Sequence, residues 1–411
     1  MKKEFLSFPR SAKLYLISQF LMAGYYTWPF WYGFAAGRIT PVQFGIYLAI
    51  VHIVGLFAEV PTGAFADSYG RRLSAFLGAL CCAVAPLIVF AGGNFQSYVL
   101  SAVMTGIGGA FVSGSLESLV YDLPDMTAEI FRRVMVQDTF FWQSGLITAT
   151  ALGGLLYQTN NILPFLAEAV SFVLAAIVIM QVASDRRLKA ADNNKQTLSR
   201  YISTTATGFT HLFKTKSIHW LIVFGVSVSV LMWMGIEYIN EAAMIHYSLQ
   251  PELRGLILAA SKVVALLILN FVVLKRVKTD RQKLTYLFAM CVVVFGLYST
   301  GIISLFLTGF VLFNLISSVS ANFIKPMLHE HIDSRWRATS ISSYSFVANL
   351  VQAAAAILIG FALQAKGVVY VQQIMLAVFL VLGGLAYIKY LPKLAIAEKS
   401  AAEVQPDVLI K

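Results

Sequence analysis

Lipid solvates charge poorly, so an ionisable side chain inside a long apolar run is a functional candidate by default. His52 falls at the middle of one such run, and Glu168 and Lys262 lie about 10 Å into two others at ~1.5 Å per residue. An imidazole titrates near pH ~6.5, so His52 is a candidate carrier of a coupling proton. Its bland alternative is a neutral ring bonded to a neighbouring backbone or hydroxyl group. Glu168 is a candidate proton or cation site, or else half of a buried structural pair. Glu237 and Lys262 stand on consecutive runs with opposite signs, as an ion pair, a clamp or an outer gate would need. Glu59 and Glu117 precede basic loops and read as partners for Arg71, Arg72, Arg132 or Arg133. Asp138 opens the fifth run, and Glu241 closes the seventh beside Glu237.

Uncharged candidates accompany them. Tyr25, Tyr26, Trp28, Phe30, Trp31 and Tyr32 crowd the first run. Aromatic walls suit apolar, amphipathic or cationic compounds; the competing account is an interfacial aromatic belt. Tyr25 and Tyr26 sit deeper and are the better cavity candidates. Gln143, Asn314, Asn349 and Gln352 are mid-run, where an amide either orients a substrate or bridges two helices.

The elements that carry these residues follow from composition. The chain has 411 residues, 58% hydrophobic and only 12% charged, against about 25% charged in soluble domains. A soluble enzyme or nucleic-acid binder needs more surface charge than this. Twelve runs are long enough to span a bilayer: 14–36, 43–65, 73–92, 97–120, 138–157, 162–183, 217–239, 255–274, 284–302, 304–324, 340–363 and 369–388. They are continuously apolar rather than alternating, so helices are expected, not a barrel. The class expected is an all-α membrane protein.

Charge sets the direction. With the N-terminus cytosolic, 27 of the 31 Lys and Arg fall on inner segments, three on outer ones and one, Lys262, within a span. Such an excess predicts both termini inside and an even number of spans. The net charge of +11 is therefore an orientation signal, with no nucleic-acid partner implied. No compact apolar core with a small-residue cleavage site opens the chain, so an uncleaved first span is expected. Cys81, Cys82 and Cys291 all lie in apolar runs, which is neither a disulfide framework nor a metal spacing.

A polar stretch at 184–216 divides the chain into a six-span bundle at 1–183 and a second at 217–393, with a cytosolic tail at 394–411. A surface helix over Tyr201–Phe213 is expected within that linker. Basic clusters recur at equivalent loops six spans apart, as at Arg71-Arg72 and Lys275-Arg276, which suits a parallel repeat. Gly145, Ala149 and Gly153 make a small-residue face on the fifth run, and Gln352, Ala356 and Gly360 make another on the eleventh. Such faces let helices approach closely. Pro29 and Pro61 can kink their spans.

Between the second and third runs stands Glu59-Val60-Pro61-Thr62-Gly63-Ala64-Phe65-Ala66-Asp67-Ser68-Tyr69-Gly70-Arg71-Arg72. This string resembles the loop 2–3 signature of the major facilitator superfamily, G-x-x-x-D-x-x-G-R-R/K, and its E-V-P-T-G lead resembles one bacterial branch. The resemblance implies two pseudo-symmetric six-helix bundles, a first span lining a central cavity and small-faced spans meeting across the halves. It implies a conformational gate at Gly63, Asp67, Gly70, Arg71 and Arg72. There Asp67 would cap backbone N–H groups and pair with an arginine, latching one state and releasing in the other. Two antiporter hallmarks of the superfamily are missing. Ala102 stands where an arginine precedes the Gly-rich stretch at Gly106–Gly109, and Ala149-Thr150 stands where Gly-Pro precedes Gly153-Gly154.

Function follows from these readings. No H-E-x-x-H, nucleophile elbow, P-loop or haem pattern occurs, which disfavours an enzyme and an ATP-driven pump. The expectation is a secondary transporter working by alternating access: efflux of amphipathic or drug-like compounds on the proton gradient, with no cofactor. The alternative is uptake or exchange of a metabolite, siderophore or lipid-type substrate by the same fold. The expected setting is the bacterial inner membrane, as a monomer whose partners are the bilayer and a small molecule.

Overall fold

The computed structural model describes residues 5, 7–121, 123, 126–183, 219–331 and 337–404. The linker at 184–216, with the helix expected over Tyr201–Phe213, lies outside the described residues, as does the end of the tail. Every regular element among the described residues is helical.

The helices are α1 (Arg10–Met22), a 3-10 turn (Trp28–Phe30), α2 (Trp31–Ala36), α3 (Pro41–Tyr69), α4 (Arg71–Gly92), α5 (Phe95–Ser113), α6 (Leu116–Tyr121), α7 (Ala128–Thr159) and α8 (Leu163–Gln181). Then come α9 (His219–Met234), a π-helical turn (Gly235–Ile239), α10 (Asn240–His246), α11 (Pro251–Ile268), a second π-helical turn (Leu269–Val273) and α12 (Leu274–Arg276). Last are α13 (Asp280–Tyr298), α14 (Ile303–His331), α15 (Arg337–Lys366) and α16 (Val368–Val404).

Local chemistry places the ends. Thr40 caps α3 reciprocally with Gln43, Asn94 caps α5 with Ser97, and Thr279 caps α13 with Gln282. Each box satisfies two N–H groups that a helix start leaves bare. Gly70 turns the chain from α3 into α4 at φ 99°, a conformation that costs a glycine little.

Nine helical stretches among the described residues are long and apolar enough to cross a membrane. The runs at 14–36, 138–157 and 284–302 are helical without meeting that description. α7 carries Arg132, Arg133 and Asp138, and α13 opens on Asp280, Arg281 and Lys283. The first run departs most from expectation. It is broken: α1 ends at Met22, and helix resumes only at the 3-10 turn that holds Pro29. Pro29 therefore starts an element instead of kinking one.

The chain groups into two compact units. The first comprises Met1–Tyr201 together with Met244–Ala260 and Ala356–Phe361. Its core joins Tyr15 and Leu16 of α1, Ala75 and Ala79 of α4, and Phe172, Ala176 and Ile179 of α8. The second comprises Ile202–Ala243, Ser261–Ala355 and Ala362–Lys411. There Phe224, Phe295, Tyr298, Phe310 and Phe379 are buried on α9, α13, α14 and α16. Phe57, Leu358 and Ile388 are each more than half exposed, as lipid-facing side chains should be.

Backbones come closest where glycine stands. In α7 a Cβ on Gly145 would lie 2.2 Å from the Phe20 carbonyl oxygen, and one on Gly153 would lie 1.9 Å from that of Tyr26. The small face of α7 is therefore the seat of the first span. The expected meeting of this span with one of the other six is made beside that face. Gly154 abuts Pro251 and Glu252, and Gly255 abuts the Thr150 carbonyl. Gly45 of α3 likewise abuts Ala356, and Gly360 abuts Pro41 and Val42. All four contacts lie inside the first compact unit.

Candidate functional site

The break in the first span poses a problem of chemistry. Ending a helix frees carbonyls, restarting it frees N–H groups, and lipid offers neither a partner. The sixth span, α8, supplies both. Ser171 donates its hydroxyl to the Leu21 carbonyl at 2.8 Å. Gly24 makes room for it, since a Cβ there would meet the Ser171 hydroxyl. One turn away, Oε2 of Glu168 accepts the Thr27 N–H at 2.8 Å and the Thr27 hydroxyl at 2.6 Å. Glu168 is 6% exposed. Its partner is thus a broken helix end, not a cation. A carboxylate at a helix start also suits the local dipole.

Aromatic rings close over this region. Tyr25 meets Trp28, Trp142 and Phe172 edge-on at centroid distances of 5.7, 6.3 and 5.4 Å. Tyr25 and Tyr26 are half-buried. Below them Gln19 donates to the Tyr15 hydroxyl at 2.8 Å. Both polar groups are turned toward the Asp138 carboxylate of α7. Tyr15 and Gln19 escaped sequence reasoning. The readable signal was their four-residue spacing in the first run, matched to Asp138 seven residues before Gly145.

The other candidates are dispersed. His52 is half-buried in α3, and Gln143 is half-buried in α7. In the second unit Glu237 lies in the π-helical turn, a feature the apolar pattern does not announce, and Lys262 is half-buried in α11 beside Ser261. Asn314 donates to the Ser261 hydroxyl at 3.0 Å, and Gln352 donates to the Ser229 hydroxyl at 2.8 Å. Both amides are buried and tie helix to helix. Asn349 donates to the Ser345 carbonyl one turn back on its own helix, at 3.0 Å.

The α3–α4 corner is equally specific. Arg71 donates to the Ser118 carbonyl at 2.9 Å, and Arg72 to that of Val182, just beyond α8, at 3.4 Å. Guanidinium groups there satisfy carbonyls left bare at helix ends. Asp67 is exposed and makes no cap or ion pair among the described residues, and a Cβ on Gly63 would meet nothing. Among the described residues no group of His, Cys, Asp and Glu could hold a metal ion.

Residues 14–356 match the profile of the Major Facilitator Superfamily, and the chain belongs to that family. It is 28% identical over 161 residues to the "Uncharacterized MFS-type transporter YxaM" of Bacillus subtilis (strain 168), covering 38% of this chain and 39% of that one. It is 24% identical over 169 residues to "Multidrug resistance protein 1" of the same organism, 41% of each. The chain thus spans about two fifths of the length of these curated relatives. The crystal structure of a mutant form of the nucleoside transporter NupG superposes with a TM-score of 0.74 at 11% identity, over 93% of this chain and 99% of that one. That likeness concerns the fold.

Proposed function

We propose that this protein is a secondary transporter that exports amphipathic, drug-like compounds by alternating access, driven by the proton gradient and without a cofactor. We place it in the bacterial inner membrane as a monomer, with both termini and the Asp67 corner cytosolic. One observation carries the reading. The ends that the charge pattern puts outside are closed through glycine, Gly45 and Gly360 on one seam and Gly154 and Gly255 on the other. At the opposite end Asp67 is exposed and makes no cap or ion pair among the described residues. Helix seams joined through glycine, with backbone against backbone, suit spans that part and meet again in an alternating cycle. The relative named for multidrug resistance favours export, and the aromatic first span suits such cargo. His52, Glu168, Lys262 and Glu237 remain the coupling candidates, and Tyr25, Tyr26 and Gln143 the cavity candidates. Asn314 and Gln352 tie helix to helix, and Asn349 bonds back to its own helix.

Cells expressing the protein should accumulate less of an amphipathic dye, and a protonophore should abolish the difference. Asp67→Asn should abolish export with the protein still in the membrane. Because Asp67 is exposed, its unfolding midpoint should hold, a change within about 0.5 kcal/mol. Export at the normal rate in Asp67→Asn would remove the latch. Unchanged dye levels with altered lipid composition would favour a lipid-type substrate.

The seam makes a separate prediction. A leucine at Gly360 collides with the Pro41 carbonyl only while the seam is closed. Gly360→Leu should therefore shift the population toward the open seam. Spin labels at the exposed Gly37 and Gln364 should report a larger long-distance fraction. An unchanged distance distribution would show that the seam does not open.

A further inference from the structure

We propose that the corner where α12 meets α13 holds one anionic phospholipid: Lys275, Arg276 and Lys278 take its phosphate, Asn270 its ester region, and Phe271 with Leu267 an acyl chain. The site is independent of what the protein carries, and the reading above supplies only its leaflet, the inner one.

From Lys275 to Lys283 the chain has five basic residues against one acid, Asp280. That acid is already taken, since Lys283 donates to it at 2.6 Å. Lys275, Arg276, Lys278 and Arg281 are exposed and make no ion pair among the described residues. The corner between α3 and α4 spends its cations differently, Arg71 on the Ser118 carbonyl and Arg72 on that of Val182. Unspent positive charge at a membrane surface attracts anionic headgroups.

Orientation alone would account for the charges, but not for what lies beneath them. Lys275 stands over the Phe271 ring, 5.6 Å from its centroid, so the ammonium is held at the end of an apolar face. Val263, Val264, Leu267, Phe271 and Leu274 make that face, all exposed and at helical spacing. Asn270 is a polar interruption: an exposed amide that donates to the Leu266 carbonyl at 2.8 Å. The second N–H of the same amide is a donor for an ester oxygen. Asn270 precedes Lys275 by five residues, about 7 Å deeper at ~1.5 Å per residue. Phosphate and glycerol esters are offset in the same order in a diacyl lipid. Asn270 and Phe271 both sit in the second π-helical turn, a kind of turn frequent at functional sites. Cations, an amide and an apolar face thus follow one another as phosphate, ester and chain do. A zwitterionic lipid would bring its own cation against the cluster.

The test is lipid binding to the full chain in detergent, read by native mass spectrometry. Wild type should bind phosphatidylglycerol at least about fivefold more tightly than phosphatidylcholine, the factor for one effective basic residue at a membrane surface. That ratio needs no variant, so misfolding cannot spoil it, and detergent has no leaflets, so it does not hinge on orientation. Changing Lys275→Gln, Arg276→Gln and Lys278→Gln together should erase the preference. The charge-keeping set Lys275→Arg, Arg276→Lys and Lys278→Arg should retain it. Arg10→Gln, Arg132→Gln and Lys389→Gln remove the same charge from other basic positions and should retain it too. Asn270→Leu should weaken both lipids alike, because both carry esters. Equal binding of the two lipids by wild type, an unchanged preference in the first triple variant, or an equal loss in the charge-matched control would each overturn the site. Displacement of the lipid by glycerol 3-phosphate would overturn it as well, since a free anion would then be the occupant.

Discussion

Gly153→Leu is expected to yield almost no monodisperse protein, and Gly153→Ala to lower the unfolding midpoint markedly. Even a single methyl group on Gly153 would sit 1.9 Å from the Tyr26 carbonyl oxygen. That oxygen is backbone, so it cannot swing aside as a side chain would. Relief requires α7 to move off the first span along its length, because Gly145 makes the same contact with Phe20 eight residues earlier. Overpacking of this kind costs about 1–3 kcal/mol where side chains can adjust, and a fixed carbonyl pushes toward the upper end or beyond. The separation would also pull Tyr15 and Gln19 from Asp138 and expose the break to lipid. Gly109→Leu is the control, since a Cβ there meets nothing. Fluorescence-monitored unfolding in detergent reads all three. Equal midpoints for Gly153→Leu and wild type would mean that the seam is not tight.

The second large effect concerns Glu168→Ala. It removes the acceptor of both Thr27 hydrogen bonds in a site that is 6% exposed. An orphaned buried donor costs about 1–3 kcal/mol, more when its partner was charged. The restart of the first span then has no anchor, and both stability and export should fall. Glu168→Gln keeps an acceptor oxygen and should fold. Thr27→Val loses only the hydroxyl and should lie between Gln and wild type. A double-mutant cycle of Glu168→Gln with Thr27→Val should show coupling of about 0.5–3 kcal/mol, because the two groups are in contact. Additive effects would dissolve the clamp. The same variant separates structure from coupling. If Glu168→Gln keeps its stability yet flattens the pH profile of export, Glu168 carries the proton as well as the helix end. If the profile keeps its shape, the clamp is its whole role.

The class of protein was legible in composition, and the reason is the solvent. Lipid forbids bare backbone polar groups, so long apolar runs must be helices, and apolarity is a property of residue types. Capping was legible too: Thr40 with Gln43 and Thr279 with Gln282 are local, three residues apart. The small face of α7 could be read from spacing, but not what it seats. A four-residue repeat says that one side is small, and nothing in it says which backbone arrives there.

What only the tertiary structure decided is where local rules are overridden. The run from residue 14 to 36 is mainly apolar, yet the helix stops at Met22, and Ser171 and Glu168 from more than 140 residues away satisfy the groups the break exposes. The π-helical turn around Glu237 is equally silent in hydropathy. Glu168 was visible as a charge in lipid, but its partner was not, since pairing depends on a fold that the spacing of one segment does not encode. Asp138 is the sharper case. It looked like the polar edge of a span until α1 brought Tyr15 and Gln19 against it. By itself the sequence determined which residues lie at membrane depth. Helix packing across long separations decided which of them meet, because lipid leaves close contact and polar satisfaction to choose the partners.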